Sequence, residues 1–118
     1  MSEINARISE PVNHLEHLLG EVYRERQAQV ERFGHQRHPM TYDCAVPLYE
    51  LRETLYKDRW EAQRAAGEIT WDTVLLEEVH EALAERKPAK QVEELVQVAA
   101  VALAMAEDLM TKEGEGDG

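Results

Sequence analysis

The sequence predicts an all-α protein, and three observations carry that prediction. Ala, Leu and Glu are plentiful, while aromatic residues make up only 6% of the 118 residues, a composition that favours helix. Apolar residues recur at spacings of three and four in successive segments. Gly34, Gly67 and Pro88 punctuate those segments, as helix stops and starts do. A chain of this length builds one domain with a modest core.

The first helix is expected from about Pro11 to Arg32, with Leu15, Leu18, Leu19, Val22 and Val30 recurring at helical spacing. It ends near Gly34, and "FGHQRHPMTYD" reads as a loop. The second helix is expected from about Pro47, well placed in a first turn, to Ala66, with Gly67 as its stop. Thr70 is positioned to cap a third helix running from Trp71 to Arg86. Lys87-Pro88 breaks the chain, and a fourth helix follows from about Ala89 to Thr111. These four make a single helical domain over 1–111. The acidic, glycine-rich "KEGEGDG" over 112–118 reads as a disordered tail.

The fourth helix differs from the others. From Leu95 to Ala106 every residue except Gln97 is apolar. A helix apolar all round is buried all round, and one small subunit can hardly enclose it. The expectation is therefore a helical-bundle homo-oligomer, a homodimer or homotetramer.

Charge narrows the function classes. Lys and Arg number 13 against 24 Asp and Glu, a net charge of −11. That argues against binding nucleic acid, which needs a positive surface. An anionic small ligand would be repelled too, unless a cation stood between it and the carboxylates. Cys44, the single cysteine, has no internal disulfide partner. The opening "MSEINARISEP" lacks the basic and apolar segments of a signal peptide, and the apolar run in the fourth helix is too short to span a bilayer. The expectation is a soluble, cytoplasmic protein with no membrane partner.

"LLEEVHEALAE", residues 75–85, crowds Glu77, Glu78 and Glu81 onto little more than one turn, where like charges repel. On a helical wheel with Trp71 at zero, Val74, Ala82, Leu75 and Val79 fall at about 300°, 20°, 40° and 80°. Glu78 falls at about 340°, inside that apolar arc, with Glu81 and Glu77 at about 280° and 240° on its edge. On the fourth helix Glu94 and Gln97 flank Val101, polar groups on an otherwise apolar stretch. Helices joined by a short break are antiparallel neighbours, so Glu78 and Glu81 are placed to face Glu94 and Gln97. Such a cage of oxygen ligands suits a hard divalent cation such as Mg²⁺, with Mn²⁺ as a substitute. On spacing alone, the same pattern also describes a solvated acidic face.

"WDTVLLEEVHEALAE" followed by "VEELVQVAAVALAMAEDL" resembles the MazG-like branch of the all-α nucleoside triphosphate pyrophosphatases. That family's signature is EExxE, a spacer, then ExxD on consecutive helices. Glu77, Glu78 and Glu81 match the first half, and Glu94 opens the second, with Gln97 where the Asp would stand. "RERQAQVERFGHQRHP" is similar to a segment that precedes the motif in many members, so the resemblance covers most of residues 20–110. It implies a four-helix protomer of that type, in which Glu78, Glu81 and Glu94 hold Mg²⁺ and Gln97 offers an uncharged oxygen. It implies that Glu77 activates water or positions a second Mg²⁺. The implied reaction is hydrolysis of a nucleoside triphosphate substrate to monophosphate and pyrophosphate, in a house-cleaning role against non-standard nucleotides. The alternative is a catalytically degenerate helical oligomer that binds nucleotide or serves as a structural module.

Other residues were weighed for the same site. Lys87 and Lys90, in the break between the motif helices, are the foremost candidates for a phosphate tail, and Gln36 and His38 for base or phosphate contact. Arg26, Lys57, Arg59 and Arg86 read as ordinary surface charges. Glu77-x-x-His80 matches half of a di-iron pattern that needs two such motifs. His14-x-x-His17 and His35-x-x-His38 lack the companions of a zinc site. Cys44 reads as packing, since no catalytic Cys-His signature surrounds it.

Overall fold

A computed structural model describes the backbone of residues 2–117 and the side chains of residues 14–113. Among the described residues there are four α-helices, one 3-10 turn and no strand. The helices are α1 (Ser2–Phe33), α2 (Val46–Ala66), α3 (Trp71–Ala84) and α4 (Pro88–Asp117), and the 3-10 turn, Asp43–Ala45, leads into α2. The all-α expectation holds. α1 starts earlier than expected, and α4 continues into the stretch read as a tail. The chain divides into two compact units: Met1–His38 with Leu103–Gly118, and Pro39–Ala102.

In the first of these units, Leu15, Leu18 and Val30 of α1 are half-buried, whereas Leu19 and Val22 of the same expected stripe are exposed. α1 ends where expected. Gly34 has φ +70° and its N–H donates to the Val30 carbonyl at 2.7 Å. Only glycine adopts that left-handed conformation at little cost.

In the second unit α2 packs on α3. The inward stripe of α2 is Val46, Tyr49, Glu53, Tyr56, Trp60 and Gln63, spaced alternately three and four apart and all buried or half-buried. α2 stops at Gly67, φ +71°, with Gly67 N–H donating to Arg64 and Glu68 N–H to Gln63. That pair of bonds satisfies carbonyls a helix end would leave open. Gln63 also reaches forward. Its Oε1 accepts from the Thr70 N–H at 3.1 Å and fixes the start of α3. Thr70 occupies the cap position of α3, but its hydroxyl bonds the side chains of Gln63, Asp72 and Thr73 rather than a backbone N–H.

α3 is covered on two faces. On the α2 face lies His80, 7% exposed, with ring centroids 4.9 Å from Tyr56 and 6.1 Å from Tyr49. Its Nδ1–H donates to the Leu76 carbonyl at 2.7 Å. Thr73, fully buried, sits on the same side of the wheel, about 20° away. On the opposite face Ala82 is 1% exposed, and its carbonyl accepts from Gln91 Nε2 of α4 at 3.0 Å. Pro88 opens α4, where a missing N–H costs nothing. Glu85 Oε1 accepts from the backbone N–H groups of Arg86 and Lys87 and shapes the turn.

Val92 and Val96 of α4 are 61% and 63% exposed. One chain therefore does not cover this helix on all sides.

Candidate functional site

The covered faces of α3 explain where its glutamates go. α2 lies toward about 180° on the wheel and α4 toward about 20°. The edge between them, through 240°, 280° and about 340°, carries Glu77, Glu81 and Glu78. All three are half-buried. From α4, Glu94 comes to the same seam and is only 4% exposed. Gln91 meets Ala82, while Glu94 meets Glu81 and Glu78. Numbering thus rises along α4 as it falls along α3, the antiparallel arrangement expected.

Glu78, Glu81 and Glu94 each present a carboxylate oxygen within 4.8 Å of the others. Among the described residues, Glu78 Oε2 and Glu94 Oε2 are buried without a hydrogen-bond partner. Unsatisfied buried carboxylate oxygens are costly, and the energetics register it. Burial, then Glu81, then Glu77 and Glu94 push the Glu78 carboxyl above its ordinary value. Burial, then Glu81, raise Glu94 against the pull of the Lys90 ammonium. Burial, then Glu81, raise Glu77, against the pull of the Lys57 ammonium. Oxygen-only ligands, crowded like charges and orphaned lone pairs together make an arrangement that can hold a hard divalent cation.

Beside the cluster opens a cleft of about 330 Å³, lined by Glu50, Glu53, Glu81, Glu85 and Glu94 with Arg86, Lys87 and Lys90. Carboxylates and cations are both represented in its walls. The exposed Lys87 and Lys90 therefore border the same cavity as Glu81 and Glu94, as the break between the helices suggested. Arg86, read as an ordinary surface charge, joins them.

The remaining expected residues are placed differently. Gln97 is exposed and is not a lining residue of the cleft. Gln36 and His38 are exposed and belong to the first unit, whereas the glutamates and lysines belong to the second. His80, half of the di-iron pattern, is turned to the tyrosines of α2. Cys44, expected to pack, is exposed. Sequence reasoning overlooked Glu50 and Glu53. The signal for Glu53 was present: it stands between Tyr49 and Tyr56 in a three-four stripe, where an apolar residue would be the ordinary choice.

No family model, curated protein or solved structure matches the chain. Among the described residues, no helix is long and apolar enough to cross a membrane.

Proposed function

We propose that this chain is a Mg²⁺-dependent nucleoside triphosphate pyrophosphohydrolase of the MazG-like kind. The observation that carries the reading is the pair of buried, unpartnered oxygens on Glu78 and Glu94, with Glu81 beside them. Acidic side chains on a solvated face would keep their oxygens in water. These two are withdrawn from it, in carboxylates that with Glu81 each offer an oxygen within 4.8 Å of the others.

Glu78, Glu81 and Glu94 would hold the cation, with Gln97 available to add a neutral oxygen from one turn further along α4. Bound there, Mg²⁺ supplies charge neutralisation and polarisation of the phosphate oxygens. Lys87 and Lys90 attract the phosphate tail into the cleft. Glu77 accepts the proton of the attacking water, and its raised proton affinity suits a base working nearer neutral pH. The leaving group is pyrophosphate. The exposed Val92, Leu95 and Val96 of α4 fit a homodimer or homotetramer in which a second copy covers them.

The exposed position of Gln97 favours one rival, a nucleotide-binding module without turnover. The test is pyrophosphate release from a panel of ribo- and deoxynucleoside triphosphates with Mg²⁺, with Mn²⁺ and with chelator. Metal-dependent pyrophosphate, rather than phosphate, is expected. Nucleotide binding without release would establish the rival.

A further inference from the structure

We infer that Glu53 of α2 is a fourth carboxylate of the same cation site, held in reserve by Lys57. This rests on the cation reading above and extends it to a helix that reading does not use. Three carboxylates leave several positions open on a cation that takes six oxygens. Glu53 lines the cleft together with Glu81 and with Glu94, whose buried Oε2 has no partner. It is half-buried on the inward stripe of α2, between Tyr49 and Tyr56. It is not one of the three mutually close carboxylates, and its Oε1 lies 2.9 Å from Lys57 Nζ.

An i,i+4 ion pair of this kind is common on helices and contributes little by itself. Its location sets this one apart. The Lys57 ammonium acts on Glu77, Glu78 and Glu81 as well as on Glu53. It is a built-in counter-charge at the rim of the carboxylate seam. A divalent cation entering the seam takes over that neutralising role and repels the ammonium. Lys57, half-exposed on a long flexible stem, moves into water, and Glu53 is freed to turn inward.

The experiment is titration of the full chain with Mn²⁺ alone at pH 7, followed by the electron paramagnetic resonance signal of free Mn²⁺. Glu53→Gln is expected to weaken binding by about tenfold or more, as loss of a charged ligand does. Lys57→Gln is expected to tighten binding severalfold. In the double variant that tightening should shrink to the smaller effect of removing a nearby positive charge, because the Glu53 ligand is no longer there to be freed. Wild-type binding with Glu53→Gln unchanged would overturn the inference alone. So would tightening by Lys57→Gln that is undiminished without Glu53, since it would then be wholly a general charge effect. A wild-type chain that binds no Mn²⁺ would overturn the cation reading and this inference with it. Circular dichroism of each variant separates lost binding from lost fold.

Discussion

Glu21 of α1 and Glu94 of α4 are the same side chain held in opposite states. Glu21 is exposed and accepts a 2.9 Å charge-assisted hydrogen bond from Arg24, which holds its carboxyl below the ordinary value. Glu94 is buried, one of its oxygens is unpartnered, and Glu81 crowds it, so its carboxyl is pushed up. The chain has the means to pair an acid with a base, and it does so again at Asp72 with Arg59 and at Asp108 with Lys112. At the α3–α4 seam it does so only in part: Lys57 and Lys90 pull on these carboxyls, yet one oxygen each of Glu78 and Glu94 is buried without a hydrogen-bond partner. A buried oxygen left without a donor is costly, and a cation from outside the chain would relieve it.

Three substitutions test that contrast. The largest effect is expected from Glu78→Gln. It should abolish pyrophosphate release, a loss beyond the about 10–100-fold typical of removing a residue that only supports a ligand. Activity equal to wild type would remove Glu78 from the site. Next, Glu94→Gln should raise stability in chelator at pH 7 by about 1 kcal/mol, because it removes a buried unpaired charge. Urea unfolding reads this directly, and a destabilised variant would show that Glu94 is satisfied in some other way. Smallest is Glu21→Gln, at a fully exposed pair screened by solvent and salt. No measurable shift of the melting temperature is expected, with or without Mg²⁺.

The fold was legible because its signals are local. Gly34 and Gly67 end helices through their own backbone conformation, and Pro88 starts one through a missing donor. Glu78 and Glu94 were legible as polar residues in apolar arcs. What the sequence concealed depends on tertiary packing. The wheel of α3 carried no apolar signal on the side opposite Leu75, yet two tyrosines of α2 cover it and His80 is buried there. Polarity alone cannot mark such a face, because an imidazole that bonds its own helix carbonyl packs like an aromatic ring. Glu53 was concealed for the same reason, being defined by the neighbouring helix. The helix beyond Thr111 runs against the propensity of Gly114 and Gly116.

If the seam carboxylates are kept for a cation, stability must respond to pH and to Mg²⁺ together. Glu77, Glu78 and Glu94 bind protons more tightly folded than their ordinary value of 4.5. Their contribution to stability is therefore fully present below 4.5 and is lost as pH rises through the raised folded values. A cation that pairs with the ionised carboxylates restores it. The measurement is the melting temperature with and without Mg²⁺, at pH 4.5 and at pH 7. At a concentration about one hundred times Kd, binding adds about 2.7 kcal/mol, which shifts a small domain by roughly 10 °C or more. The account predicts such a rise at pH 7 and little or none at pH 4.5. A rise equal at both pH values, or absent at pH 7, would contradict it.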